Sequence, residues 1–286
     1  MTPTLVRHHL PHSGAAPRVD PWARARDWAE IQERMLVPLY EAVYERLEVG
    51  SSTRLLGLGC GSGLALLMAA SRGAEVTGVE SAARERLALA RERLLPEAWG
   101  TRPGGRARLV AGGPADVTDP GRARYNLVTA FEPIGCVSGD AEALDSSLAA
   151  ATRLVGHGVP VVLAGWGPPE RCATSAVLRA ATKPDDEPLR GESGPRTALR
   201  DDLEEAARRA GLRPDGSGRV ACPFGYADMD NAVRGLLSTG LFDPAAAATD
   251  PVQVDKELRE ALHPYERRDG TVWMPNVFRY LIARTA

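Results

Sequence analysis

Residues 55–63 read Leu55-Leu56-Gly57-Leu58-Gly59-Cys60-Gly61-Ser62-Gly63, an apolar run that ends in alternating glycines. A short apolar run bounded by glycine predicts a buried strand over Thr53 to Leu58, and the following Leu64 to Ala70 predicts a helix. Glycine has no Cβ and tolerates positive φ, so the connection turns tightly and lets a ligand approach the helix N-terminus. Glu75 to Val79 predicts a second strand with Glu80 at its carboxyl end. The result is a β-α-β unit, and in open α/β sheets ligands bind beyond the carboxyl ends of the strands.

The glycine spacing separates two nucleotide chemistries. A dinucleotide fingerprint needs G-x-G-x-x-G, but the sixth position counted from Gly59 is Leu64 and from Gly57 is Ser62. The spacing is G-x-G-x-G instead. An acid at the end of the second strand accepts hydrogen bonds from both ribose hydroxyls of a cofactor lying over the glycine loop, and Glu80 stands there. At an open rim, this side chain is expected to support ligand binding and not the core.

Outward from this unit the alternation continues. Helix is predicted at Ala82 to Leu95, strands at Ala107 to Ala111 and Asn126 to Phe131, helix at Asp140 to Leu154, and a buried strand at Val159 to Ala164. Strands alternating with helices of this length predict a doubly wound α/β fold with parallel pairing. Pro168 to Pro195 is Pro-rich and charged. A helix at Ala198 to Ala210 follows, with Gly211 suited to a left-handed C′ position. Strands at Gly218 to Cys222 and Val277 to Ala283 bracket a helical excursion from Ala227 to about Leu262, where substrate selectivity is expected.

Upstream, Pro21 to about Val49 carries apolar residues at spacings of three and four and predicts an amphipathic helical stretch. Residues 1–19 predict a flexible arm; His8, His9 and His12 cluster there without a carboxylate or thiol, and no metal site is expected. The organisation expected is an arm (1–19) followed by one domain (20–286): a helical lid (20–50), a core (51–222), a helical cap insertion (223–270) and a last strand (271–286).

Composition excludes several function classes. The chain has 286 residues, 44% hydrophobic and 25% charged, with a formal charge of −2 and no basic block, so nucleic acid and anionic membranes are not expected partners. Lys183 and Lys256 are the only lysines among 35 basic residues, which points to codon bias. Cys60, Cys136, Cys172 and Cys222 form no CxxC pair. With neither a membrane span nor a secretory h-region, a cytoplasmic location is expected. A monomer and a homodimer both remain open.

Gly59-x-Gly61-x-Gly63 resembles motif I of class I S-adenosylmethionine-dependent methyltransferases, which usually has an acid two residues before the first glycine; here that position is Gly57. Arg124-Tyr125-Asn126-Leu127-Val128 resembles the family's F-D-x-V ahead of its fourth strand. Asn276-Val277-Phe278-Arg279-Tyr280 resembles its antiparallel seventh strand. The resemblance implies a Rossmann-like seven-stranded sheet with an antiparallel last strand, an amino-terminal helical lid and a helical insertion before that strand. It implies S-adenosyl-L-methionine as cofactor and S-adenosyl-L-homocysteine as product. The residues it implies at the cofactor are Gly59, Cys60, Gly61, Gly63, Glu80, Ser81 and Phe131, with Asp116 and the amide of Val117 at adenine. Trp28 and Gln32, one turn apart, are assigned to the lid, and Glu132 and Trp166 to the acceptor side.

The activity expected is methyl transfer to a small, natural-product-like acceptor of specialised metabolism by in-line displacement. Such a reaction depends mainly on orientation; Glu132 and His263 are the candidates to deprotonate a hydroxyl acceptor. The alternative is a cyclase or pericyclase on the same fold that binds the cofactor without using its methyl group.

Overall fold

The computed structural model describes residues 20–95, 107–118, 125–181, 198–248 and 250–286. The predicted arm with its histidines, and most of the Pro-rich stretch after residue 181, lie outside them. The alternating unit is β1 (Arg54–Leu58), α3 (Leu64–Ser71), β2 (Glu75–Glu80), α4 (Arg84–Leu94), β3 (Ala107–Ala111), β4 (Leu127–Ile134), α5 (Asp140–Thr152) and β5 (Pro160–Trp166). It is preceded by α1 (Pro21–Asp27) and α2 (Val37–Arg46). It is followed by α6 (Ala173–Ala181), α7 (Asp202–Arg209), β6 (Arg213–Ala221), β7 (Phe224–Tyr226), α8 (Met229–Ser238), α9 (Asp243–Ala248), α10 (Pro251–Leu262), β8 (Val272–Met274) and β9 (Val277–Arg284).

Seven strands form one sheet in the order β3-β2-β1-β4-β5-β9-β6. The first five pair in parallel, and β9 runs antiparallel between β5 and β6. Successive strand residues face opposite sides, and here both sides are covered. Leu55, Val162 and Ile282 enter one core with α2, α6, α8 and α10; Leu56, Leu163 and Leu281 enter a second with α5 and α7. A strand buried on both faces reads as a continuous apolar run, which is why β1 and β5 are legible. Asn126, in the place of the family's aspartate, ties β1 to β4: its Oδ1 accepts from the Arg54 N–H at 2.6 Å and its Nδ2 donates to the Ser52 carbonyl at 2.9 Å. Among the described residues no helix is long and apolar enough to cross a membrane.

Several expectations are corrected. Strand β6 begins at Arg213, five residues earlier than its apolar signal, because an edge strand pairs through its backbone and tolerates Pro214 and Gly216 at a register shift. Helix α7 starts at Asp202 and not Ala198. Helix α6 lies inside the stretch read as Pro-rich, where Val177 and Leu178 are buried. The insertion is helical but is flanked by the β7–β8 pair, with Phe224 opposite Met274.

The lid departs most. Within the predicted helical stretch, α1 passes into a π-helical turn at Trp28–Gln32 and a 3-10 turn at Glu33–Leu36 before α2 starts. Pro38 lies in the first turn of α2, and without an N–H it cannot bond back to residue 34, so the α-helical ladder is interrupted there.

Candidate functional site: a two-part cleft at the strand ends

The glycine loop leaves β1 and reaches α3 through Gly59, Gly61 and Gly63, all at positive φ. Two of these positions have no room for a side chain without adjustment. At Gly63 a Cβ would stand 3.0 Å from the Ala90 Cβ, and at Gly61 it would stand 3.3 Å from both the Trp28 Nε1 and a Glu33 carboxylate oxygen. Gly57, where the family's motif has an acid, is closed from behind, since a Cβ there would meet Leu66 Cδ2 at 2.9 Å.

Glu80 ends β2 beside this loop. Its Oε2 accepts from the Gly61 N–H at 3.1 Å, and its Oε1 accepts from the Ala82 and Ala83 N–H groups at 2.9 and 3.3 Å. The residue is 8% exposed. The expectation that Glu80 supports only a ligand is therefore corrected: a carboxylate taking three amide bonds also braces the loop and the turn after β2.

From above, the lid closes on the loop. In a π turn residues five apart share a face, and Glu33 donates its N–H to the Trp28 carbonyl. Trp28 and Glu33 thus meet over Gly61, whereas Gln32, expected on Trp28's face, turns away to accept from the Tyr226 hydroxyl at 2.9 Å. Glu33 is 2% exposed. One oxygen accepts from the Ser62 hydroxyl and from Arg93 Nη1 at 2.7 Å, while the other has the Leu64 N–H at 3.4 Å. Arg93 also donates to the Ala29 carbonyl at 2.8 Å, fastening the lid to α4.

Arg86, also from α4, lies over the Trp28 ring at 4.1 Å and donates to the Ser238 carbonyl of α8 at 2.7 Å. The lid meets the cap through Arg24–Asp243 at 2.8 Å and Arg234–Asp27. The wall beneath is aromatic: Phe131 lies 4.9 Å from Tyr40 and 5.7 Å, edge-on, from Tyr44.

These elements enclose a cleft in two parts. A compartment of about 30 Å³ under the lid is lined by Trp28, Glu33, Tyr40, Gly61, Arg86 and Phe131, among others. It adjoins an open groove of about 400 Å³ that runs past Ser81, Ala82, Pro133, Val137 and Leu144 to Thr239–Leu241. Leu58, Gly59, Glu80 and Glu132 line both parts.

The charges in the cleft are perturbed. Protein atoms surround Glu132, and this burial raises its pKa, with Arg86 opposing the shift and Glu80 adding to it. Water still reaches Glu132 through the groove, so the desolvation acts fully once a ligand fills the cleft. Burial, and then the charges of Glu80 and Glu33, push the Cys60 thiol up to about 12, leaving it an uncharged liner. Burial draws the Arg86 pKa down, with Glu132 and Glu80 working against it.

Six predicted site residues do not line the cleft, the first of them Gly63, whose missing side chain leaves room for Ala90. Asp116 caps its own turn, accepting from the Gly113 N–H at 2.9 Å, and Val117 is buried in the core under α5; neither is among the residues that line the cleft. Trp166 packs on Phe278 and Phe224 at 4.6 and 6.1 Å and lines a separate surface hollow with Pro168 and Arg279. His263 follows α10 with its side chain 82% exposed, near Glu266. Gln32 is held by Tyr226. Conversely, Glu33, Tyr40, Arg86 and Arg93 line or brace the cleft without having been singled out. An acid among Ile31, Met35 and Leu36 is the available signal for Glu33; Tyr40 reads as part of the lid's apolar face, and Arg86 and Arg93 read as surface residues that acquire meaning only from the fold.

The arrangement of the strands and helices has known counterparts. The fold is that of class I S-adenosylmethionine-dependent methyltransferases. The [4+2]-cyclase SpnF superposes with a TM-score of 0.50 at 20% identity, over 86% of this chain and 80% of its own. A candidate methyltransferase from Bacillus halodurans C-125 gives 0.51 at 14% identity, over 86% and 97%. A candidate sarcosine dimethylglycine methyltransferase from Galdieria sulphuraria gives 0.52 at 11% identity, over 93% and 99%. No family model and no curated protein sequence matches the chain.

Proposed function

We propose that the protein is an S-adenosylmethionine-dependent methyltransferase acting on a small-molecule acceptor. The observation that carries this reading is the glycine loop with Glu80 at its side: three positive-φ glycines turn the chain tightly at the strand ends, Gly59 exposed among them, and a carboxylate stands where ribose hydroxyls need an acceptor. The donor set fits the nucleoside sulfonium. Glu33, Glu80 and Glu132 face the cleft with Arg86 as the one cation beside them among its described lining residues, a balance that favours a positively charged ligand. Gly59, Gly61, Glu80, Ser81 and Phe131 are the residues assigned to it.

Bound there, S-adenosylmethionine supplies an electrophilic methyl group. The chain's part is to hold the acceptor in line, exclude water under the lid and, for a hydroxyl acceptor, take its proton. Glu132, at the junction of the two parts of the cleft, is the base for that step. The second reading is a cyclase, for SpnF shares the fold and the cofactor residues would be the same in both. Incubation with methyl-labelled S-adenosylmethionine and a metabolite extract tests the choice. Label recovered in a product, with equimolar S-adenosylhomocysteine, supports the transferase; an isomerised extract component with no label transfer supports the cyclase.

A further inference from the structure

We infer that the lid, and not the sheet, reads the amino-acid headgroup of the nucleoside: the Trp28 indole N–H receives its α-carboxylate and the Glu33 carboxylate its α-ammonium. This rests on the proposed function and assigns residues to a part of the ligand that neither strand-end acids nor ribose contacts address.

Three observations support it. The Trp28 Nε1 is buried and has no hydrogen-bond partner among the described residues, although an unpaired buried donor is costly to keep. It converges with Glu33 on one place, since both atoms stand 3.3 Å from where a Gly61 side chain would begin. A hydrogen-bond donor and an anionic acceptor set side by side complement a zwitterion. The Glu33 oxygen on this side has only a 3.4 Å amide contact, which leaves acceptor capacity, while Arg93 and Ser62 hold the other. The indole is fixed in turn by Arg86 over its ring.

The two-part shape of the cleft agrees. The smaller part under Trp28 and Glu33, about 30 Å³, is on the scale of ~two water molecules and suits a compact polar group more than a nucleoside. The adjoining groove of about 400 Å³ suits the nucleoside, with Glu80 at the junction. At the end of β1 the sheet offers no acid, because position 57 is a glycine whose side-chain space is taken by Leu66. The π turn is the local cause: it places residues 28 and 33 on one face.

Calorimetric titration of the full-length protein tests this with three probes: S-adenosylhomocysteine, 5′-methylthioadenosine, which lacks the headgroup, and decarboxylated S-adenosylmethionine, which keeps the ammonium alone. Trp28→Phe is expected to weaken S-adenosylhomocysteine about 10-fold and leave methylthioadenosine within about 2-fold, the loss of one charge-assisted hydrogen bond. Glu33→Gln is expected to weaken the decarboxylated probe, which Trp28→Phe leaves nearly unchanged. Equal losses for headgroup-bearing and headgroup-free nucleosides, or no loss in either variant, would overturn the assignment. Should Glu33→Gln fail to fold for want of its Arg93 pair, Trp28→Phe and the probe series on wild type still decide. Wild type that binds methylthioadenosine as tightly as S-adenosylhomocysteine refutes the headgroup site alone. Wild type that binds none of the three refutes the function on which it rests.

Discussion

On one face of the sheet, α5 and α7 pack through Leu148, Ala151, Leu203 and Ala206, each short helix presenting a stripe that its own spacing determines. On the other face the cover of the cleft is assembled from distant segments. Lid and cap meet through Gln32–Tyr226, Asp27–Arg234 and Arg24–Asp243, at separations of 194, 207 and 219 residues. The first face is a core whose buried contacts are apolar and generic, with the Arg209–Asp145 pair joining α7 to α5 at its edge. The second is a polar seam over a cleft, in which buried Glu33 and the unpaired Trp28 N–H carry a cost that packing alone does not offset. Polar groups kept at such cost, on the face where the glycine loop opens, distinguish the part of the molecule that recognises from the part that supports.

The largest effect should come from the residue that belongs to both. Glu80→Ala is expected to weaken S-adenosylhomocysteine by about 30- to 150-fold, from two charged-acceptor contacts trimmed by water replacement. It should also cost about 2 kcal/mol of stability, since the Gly61, Ala82 and Ala83 amides lose their acceptor. Exposed Glu92 on α4 is the control, with Glu92→Ala within about 0.5 kcal/mol in both measurements. A Glu80→Ala protein that binds normally would place the ribose elsewhere and break the contrast between the faces.

A smaller effect is expected at the seam. Asp27→Asn combined with Asp243→Asn removes both lid–cap ion pairs, each worth ~0 to 1 kcal/mol at a solvated surface. Stopped-flow dissociation of S-adenosylhomocysteine should accelerate about 3-fold, and added salt should accelerate wild type but not the double variant. Unchanged rates would mean that this seam does not gate the cleft.

The smallest concerns Glu132. Its pKa is raised in the folded protein by burial, against Arg86, so its ionised form is disfavoured there. Whatever stability the raised pKa gives is present in acid and lost as pH rises through the folded value. Glu132→Gln should therefore melt slightly higher than wild type at neutral pH, with the gain vanishing below the ordinary carboxylate range. A gain independent of pH would assign the effect to packing.

The parts of the fold that sequence discloses are those with local causes. Strands β1 and β5 announce themselves because both faces are buried, and the helix ending at Gly211 because that residue sits at φ 71. Strand β6 stays half hidden because an edge pairs by backbone. At the site the same rule holds. Gly59, Gly61, Glu80, Phe131 and Glu132 line the cleft from their places at the ends of β1, β2 and β4, places that the apolar runs of those strands already mark. Asp116, Val117, Trp166 and His263 were placed by family pattern or by residue type, and each is held by neighbours outside the cleft. Gln32 is drawn to the Tyr226 hydroxyl across the cap, while Glu33, whose N–H bonds back to the Trp28 carbonyl, faces the glycine loop; neither partner is near in sequence.

The central claim is that the cleft takes a sulfur nucleoside over the glycine loop. Titrating the purified protein with S-adenosylhomocysteine and, separately, with NAD tests it most directly. Saturable one-site binding of S-adenosylhomocysteine is expected, weakened about 30- to 150-fold in Glu80→Ala, with no binding of NAD in the same range. Tighter binding of NAD, or S-adenosylhomocysteine affinity indifferent to Glu80, would contradict it.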